Sequence, residues 1–464
     1  MTPMILRPKQ QQTVEMILRD KSHLSGSLGG FGKTVVGVEA VLRSAAGVTL
    51  VICPLKVIRN WQKTFANQGY SEPLKRIDST KQGKLNFLDI LEGVKGVYII
   101  GWEMFRTMHW GQAKIDFAIA DEIHRACNRS TATADMLHTV RATYKVGFSG
   151  TPAGNKTEGL WSVCHWLWPE LYPHFWPWVG ANFYKSMVQV GRDRFGRPKQ
   201  VMEITEEHEP GRVWAAIPSK TRFTSEQKNK VIRTDIEVEL SPAQMKVYRE
   251  FEKDAFVWLD ENPMFEELPA VKHMRLLQMT LGVPMVEYDE DGEPIINFAE
   301  DCKSAKLDTT LELLSDMYAG GPIPVIIYCH SRKFVEQVMV PRLRKKGYRA
   351  VSFVGGQTAE ETNHKIEGFG VDHDIIVATI GSVGEGVDGL QDVCSTEIWL
   401  SLDGNRLLNR QAGWRLDRTG QKADHIRRFY LTAVNTVELD KRDKIRTNDE
   451  LLDDSLDREM EVAI

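Results

Sequence analysis

Six consecutive residues, Val48-Thr49-Leu50-Val51-Ile52-Cys53, carry no charge and no alternation of polar with apolar side chains. A strand of this kind has no face to offer water, so it must be covered on both sides. Parallel sheets achieve this, because helices cross over each face between successive strands. Similar apolar runs recur at 96–100, 117–120 and 144–148, with helical patterns between them and at 13–19 and 35–43. The series returns at 325–328, 349–353, 374–378 and 396–400, interleaved with helical stretches at 334–346 and 359–368. Between the two series, 238–281 reads as mostly helical and opens with Ser241-Pro242, an N-cap followed by proline at the first helical position. The pattern therefore predicts an α/β chain of two parallel-sheet lobes with a helical connection. The expected division is 1–235 for the first lobe, with a helical protrusion at about 155–235. The remainder, 236–464, holds the connection (about 238–300) and the second lobe.

Composition removes several classes. No run approaches the roughly 18 apolar residues of a membrane helix, and Met1 to Arg7 has neither the basic flank nor the apolar core of an export signal. The six cysteines lie far apart with no C-x-x-C, which argues against a zinc site or a disulfide framework and for a reducing compartment. A net charge of −4 leaves a polyanionic partner open, because a local basic channel is invisible in the sum. Locally, Gly191–Lys199 holds four bases against one acid around glycines that suggest a hairpin tip, which fits either a phosphate-backbone contact or a solvated loop. The end, Asp449 to Glu461, holds seven acids against one arginine and reads as a solvated terminus. Of the tryptophans, Trp161, Trp166, Trp168, Trp176 and Trp178 fit core packing of the protrusion better than stacking on bases.

The chemistry concentrates in two places of the first series. Ser27-Leu28-Gly29-Gly30-Phe31-Gly32-Lys33-Thr34 ends in Gly-Lys-Thr between an apparent strand and an amphipathic helix. Glycines such as Gly30 and Gly32 let backbone N–H groups curl around a phosphate at the positive end of the following helix. Lys33 would reach the β- and γ-phosphates of ATP, and the Thr34 hydroxyl would ligate Mg²⁺. Ser27 stands where this pattern has its first glycine. Further on, the strand Phe117–Ala120 ends in Asp121-Glu122-Ile123-His124. Asp121 would hold the metal, and Glu122 would orient and deprotonate an attacking water.

In order along the chain, these segments and several others resemble superfamily 2 helicases, and more closely the Swi/Snf-type DNA translocases. Leu6-Arg7-Pro8-Lys9-Gln10 is similar to the opening adenine-recognition segment, which implies that Gln10 reads the base. Cys53-Pro54-Leu55-Lys56-Val57-Ile58-Arg59-Asn60-Trp61 resembles the motif beside the DNA track. Asp121-Glu122-Ile123-His124 resembles the D-E-x-H box, and Phe148-Ser149-Gly150-Thr151-Pro152 the S-G-T-P linker, with Ser149 and Thr151 as coupling residues. Ser304-Ala305-Lys306-Leu307 resembles the S-x-K-L lead-in of the second lobe, and Ile326-Ile327-Tyr328-Cys329 its first strand. Gly384-Glu385-Gly386-Val387-Asp388 resembles the G-x-G-[LV]-N turn, with Asp388 in place of asparagine and with Gly386 and Asp388 implied at the nucleotide. Gln411-Ala412-Gly413-Trp414-Arg415-Leu416-Asp417-Arg418-Thr419-Gly420-Gln421 fits Q-A-x-x-R-x-x-R-x-G-Q, with Gln411 as a coupling residue. Thr436-Val437-Glu438 resembles the closing T-[VI]-E. Thr362 departs from the arginine many members carry.

The resemblance implies two RecA-like lobes that bind Mg²⁺–ATP between them and translocate on double-stranded or branched DNA. It also implies a monomer, acting without a membrane in the cytoplasm of a bacterial or phage-infected cell. On a helix, the i, i+3 spacing of Arg415 and Arg418 would project both guanidiniums from one face, where they would stabilise charge on a γ-phosphate as arginine fingers do. Two alternatives share the motifs: a strand-separating helicase on DNA or RNA, and a nucleotide-dependent binding switch with little turnover.

Overall fold

The computed structural model describes residues 5–192, 198–223, 230–259, 262–265, 269–288, 294–383, 387–418, 420–443 and 445. The chain forms two compact units, Met1–Glu226 and Gln227–Thr447, each built on its own parallel sheet.

The first unit contains β1 (Ser22–Ser25), β2 (Val48–Cys53), β3 (Lys75–Ile77), β4 (Gly96–Gly101), β5 (Ile115–Asp121), β6 (Ala142–Phe148), β7 (Phe183–Arg192), β8 (Pro198–Glu207) and β9 (Lys220–Thr221). Seven of these make a sheet in the order β3-β4-β2-β5-β6-β1-β9, with every pairing parallel. Successive residues of a strand point to opposite faces, and both faces are buried. Leu50, Ile52, Ala118 and Ala120 enter one core, while Val51, Cys53, Phe117 and Ile119 enter another, beneath the helices Pro8–Asp20, Lys33–Ser44 and Ile58–Asn67. Each fully buried aliphatic side chain contributes about 1.5–3 kcal/mol, so these strands need no polar face. Ser25 and Asp121 both lie opposite Phe148. Strands β1, β5 and β6 thus end at one level, and the loops after them leave from one carboxyl edge, where α/β sheets bind ligands.

The second unit repeats the plan with β10 (Lys230–Val238), β11 (Phe256–Leu259), β12 (Asn262–Phe265), β13 (Met285–Tyr288), β14 (Pro294–Asn297), β15 (Val325–Cys329), β16 (Ala350–Phe353), β17 (Ile375–Thr379), β18 (Thr396–Trp399) and β19 (His425–Ala433). Its sheet runs β10-β19-β18-β15-β17-β16, again all parallel. Its residues alternate between a core around Ile327, Val377 and Ile398 and one around Ile326, Tyr328, Ile376 and Trp399.

Three expectations change. Residues 230–235, placed in the first lobe by sequence, form β10, which pairs residue for residue with β19 from Lys230–His425 to Val238–Ala433. Continuous ladder bonding fixes the strand to the second sheet. The protrusion is not wholly helical: after Leu160–Leu167 and Phe175–Asn182 it continues as the antiparallel ribbon β7–β8. The connection likewise contains the helices Pro242–Asp254 and Pro269–Leu281 but adds two ribbons, β11–β12 and β13–β14. Among the described residues each ribbon pairs only with itself, so no long apolar run announces it. The predicted N-cap is present, with Ser241 Oγ accepting the Gln244 N–H at 3.3 Å.

Two motifs meet in the second core. Lys306 Nζ lies 2.6 Å from Glu438 Oε2 and 2.8 Å from Oε1, with the two side chains 0% and 7% exposed. Lys306 also donates to the Leu400 carbonyl, while Glu438 accepts from the Ala433 N–H and the Thr280 hydroxyl, each at 2.9 Å. The S-x-K-L and T-V-E segments are therefore the two ends of one buried ion pair.

Candidate active site

The glycine-rich loop leaves β1 over a chain of buried polar groups. His23 Nε2 pairs with Thr221 Oγ1 at 3.0 Å, Thr221 donates to Ser25 Oγ at 3.2 Å, and Ser25 donates to Ser27 Oγ at 3.3 Å. Ser27 Oγ also accepts the Phe223 N–H at 3.2 Å. The backbone at Ser27 does not adopt positive φ, whereas Gly30 (77°) and Gly32 (87°) do. Serine is thus sterically allowed at the first position and ties the loop to the strand beneath it. Gly32 is the N-cap of the Lys33–Ser44 helix, and a Cβ there would sit 2.5 Å from Gln10 Nε2.

Gln10 is buried, donates to the Phe31 carbonyl at 2.7 Å and accepts the Arg7 N–H at 2.9 Å. Arg7 Nη2 reaches the same carbonyl at 2.5 Å. Lys33 folds back over the loop, with Nζ donating to the Ser27 carbonyl at 2.8 Å and the Leu28 carbonyl at 3.2 Å. Thr34 Oγ1 lies 3.5 Å from Asn60 Nδ2.

Asp121, at the end of β5, is held by two indoles that sequence reasoning did not single out. Trp61 Nε1 donates to its Oδ2 at 2.9 Å, and Trp102 Nε1 to its carbonyl at 2.8 Å. By sequence, Trp61 only closes the segment Cys53–Trp61, whose resemblance is to a motif beside the DNA track. Burial, then the neighbouring Glu122 carboxylate, push the Asp121 carboxyl up to about 7, against the pull of the Trp61 hydrogen bond and Lys33. Glu122 itself is left-handed, with φ 53° and ψ 50°. A non-glycine residue held there is strained, a feature that concentrates at functional sites. The twist brings Glu122 Oε2 to 3.2 Å from His124 Nδ1 and 3.4 Å from Ser149 Oγ. Ser149 Oγ also contacts His124 Nδ1 at 3.0 Å and accepts the Thr151 N–H at 3.0 Å. The D-E-x-H box and the S-G-T-P turn are therefore one hydrogen-bonded cluster. A hydroxyl and a carboxylate are hard oxygen donors of the kind Mg²⁺ takes, and two adjacent carboxylates, one deeply buried, favour a cation. Thr34 and Asp121 thus fit the ion.

In the second unit the helix Arg406–Gly413 ends before the two arginines, so the expectation of a shared helical face is corrected. Arg415 and Arg418 lie in the turns beyond it, because the chain bends after Gly413. They converge nonetheless, each placing Nη1 3.0 Å from the Val387 carbonyl. Asp388, the departure from asparagine, accepts from Arg418 at 3.1 Å and from Gln391 at 2.9 Å. Gln411 is buried on the same helix. Gly386 lies outside the described residues, as do 193–197 of the basic loop and the acidic end. Of the protrusion tryptophans, Trp161 and Trp166 are core residues, while Trp176 is 47% exposed beside the Arg129 guanidinium. Among the described residues no helix is long and apolar enough to cross a membrane.

Two parallel sheets in series, the first carrying a glycine-rich loop and an acidic box on one edge, put the chain in the class of two-lobed α/β proteins. A family model described as the SNF2-related domain matches residues 9–281, and the chain belongs to that family. Among curated proteins it is similar to human SWI/SNF-related matrix-associated actin-dependent regulator of chromatin subfamily A member 1, at 22% identity over 88% of this chain and 39% of that one. An uncharacterised ATP-dependent helicase of Mycoplasma genitalium is 22% identical over 93% of this chain and 40% of its own. The Zorya protein ZorD of Escherichia coli is 24% identical over 89% and 39%. The chain thus spans about two fifths of the length of these relatives. A solved SWI2/SNF2 ATPase core of Sulfolobus solfataricus in complex with dsDNA aligns at 16% identity with a TM-score of 0.42, over 98% of this chain and 97% of that one.

Proposed function

We propose that the protein is a Mg²⁺–ATP-dependent translocase on double-stranded or branched DNA, working as a monomer in the cytoplasm. The observation that carries the reading is the level ending of β1, β5 and β6, from whose carboxyl edge Asp121, Glu122, Ser149 and the loop leading to Lys33 and Thr34 at the helix start all leave. Backbone N–H groups after Gly30 and Gly32 cradle the phosphates, and Lys33 leaves its loop carbonyls to neutralise them. Gln10 orients the adenine. Thr34 and Asp121 hold Mg²⁺, which when bound neutralises charge on the transferring phosphoryl group. Glu122 accepts a proton from the attacking water. The His124–Ser149 cluster reports its state to the S-G-T-P turn and Thr151.

Arg415 and Arg418 supply positive charge to the γ-phosphate from the second unit, where Asp388 contacts Arg418, Gln411 is a coupling residue and Gly386 belongs to the nucleotide-binding set. Alternating engagement of the two units through the hydrolysis cycle then moves DNA.

ATPase activity measured with and without duplex DNA tests the reading: stimulation supports it, and no response to any nucleic acid refutes it. Lys33→Ala and Glu122→Gln are expected to abolish turnover, with the glutamine variant still binding ATP. The ribbon β7–β8 favours a second reading, a strand-separating helicase in which the ribbon is the wedge. Displacement of a strand from forked DNA that is lost on trimming the ribbon would decide for it. Turnover by the native protein well above that of Glu122→Gln excludes a mere binding switch.

A further inference from the structure

The last carbonyls of a helix have no partner within it, and a cation placed among them is favoured by the helix dipole. At the end of Arg406–Gly413 these carbonyls are taken by side chains from two strands. Arg428, on β19, donates through Nη2 to the Gly413 carbonyl. Tyr328, on β15, donates its hydroxyl to the Ala412 carbonyl at 3.2 Å. That same carbonyl accepts the backbone N–H of Arg415 at 3.0 Å. Arg428 is fixed in turn by Glu397 on β18, with Nε 2.6 Å from Oε2 and side-chain exposures of 15% and 0%. Trp399 Nε1 donates to the same Glu397 oxygen at 3.1 Å. The packing is close, since a Cβ at Gly413 would lie 3.2 Å from Arg428 Nη2. Desolvation opposes the charge on Arg428, but the Glu397 carboxylate outweighs it and the guanidinium pKa is raised.

We infer that Arg428, held by Glu397, is a positioning residue for Arg415: with Tyr328 it clamps the helix end and fixes the turn from which the Arg415 guanidinium projects. Arg428 touches no reacting group. This rests on the reading of Arg415 as the finger, and a misplacement of about 1 Å in such a group costs on the order of 10²-fold in rate. The clamp is built from side chains on three neighbouring strands of the second sheet, β15, β18 and β19.

The test combines DNA-stimulated ATPase kinetics with hydrogen exchange across residues 412–418. Arg428→Ala is expected to lower kcat ten- to a hundredfold with KM for ATP changed less than threefold, and to speed exchange in that segment. Glu397→Gln, which keeps the side-chain volume, moves both readouts in the same direction, and Arg428→Lys restores part of each. Because Arg428 acts through Arg415, the double variant Arg415→Ala/Arg428→Ala turns over no more slowly than Arg415→Ala alone. Unchanged exchange in Arg428→Ala, or a double variant slower by the full Arg428 factor, overturns the clamp. Wild-type turnover by Arg415→Ala refutes the finger reading instead, and the exchange result then judges the clamp by itself.

Discussion

Replacing Lys306 with methionine isolates the energetic role of the buried pair it makes with Glu438. The ammonium is fully buried, touches both carboxylate oxygens and joins segments 132 residues apart. Removing one member of such a pair leaves an uncompensated buried charge and costs about 3–5 kcal/mol. For a unit of this size each kcal/mol lowers the midpoint by roughly 2–4 °C, so the fall expected is about 6–20 °C. The double variant Lys306→Met/Glu438→Leu recovers part of the loss by removing the stranded carboxylate. Recovery is incomplete because the Ala433 N–H loses its acceptor, at about 1–3 kcal/mol for a buried group left unsatisfied, whereas the Thr280 hydroxyl keeps the Leu277 carbonyl at 2.8 Å. Thermal and urea unfolding of the wild type, both single variants and the double variant measure the cycle. A fall below about 2 °C for Lys306→Met, or a double variant less stable than the sum of the singles, would refute the reasoning.

Three further outcomes follow from the first unit. Trp61→Phe removes the indole bond to Asp121, worth about 1.5–3 kcal/mol for a bond to a charged group, and kcat/KM for ATP is expected to fall tenfold or more; an unchanged value contradicts the anchoring role. Gly32→Ala places a methyl against the Gln10 amide at φ 87°, so ATP affinity in a binding titration is expected to drop at least tenfold with the fold retained by circular dichroism. Burial holds His23 at about 3, below its ordinary 6.5. The unfolded chain therefore takes up this proton first, and the stability His23 confers is complete above 6.5 and lost as pH falls from there toward 3. At pH 5 the loss is about 2 kcal/mol. Urea midpoints at pH 7.5 and 5.0, compared with His23→Gln, measure it, and an identical pH dependence in the variant contradicts it.

The strands at 48–53 and 96–101 were legible because burial on both faces leaves an uncharged, fully buried run, and those at 115–121 and 142–148 through shorter apolar stretches at 117–120 and 146–148. The ribbons β7–β8, β11–β12 and β13–β14 were not, since a two-stranded element exposes much of its surface and its residues follow no single period. In the candidate site the phosphate loop and acidic box were visible as local spacing. The indoles that hold Asp121 come from 60 and 19 residues away, and only the sheet order brings them together. The left-handed turn at Glu122 leaves no compositional trace, because glutamate does not favour it. Arg415 and Arg418 were singled out by the resemblance to Q-A-x-x-R-x-x-R-x-G-Q, but their convergence arises from a turn closing on Val387 rather than from the helical face their spacing suggested. The substitution at Asp388, read as a departure, is an ion-pair partner for Arg418.

Single-turnover hydrolysis by Arg415→Ala in the presence of duplex DNA, with ATP affinity measured on the same sample, bears most directly on the proposed role of Arg415 at the γ-phosphate. The account predicts near wild-type ATP binding with hydrolysis slowed about a thousandfold or more, as for loss of an arginine finger. Hydrolysis at the wild-type rate would contradict it.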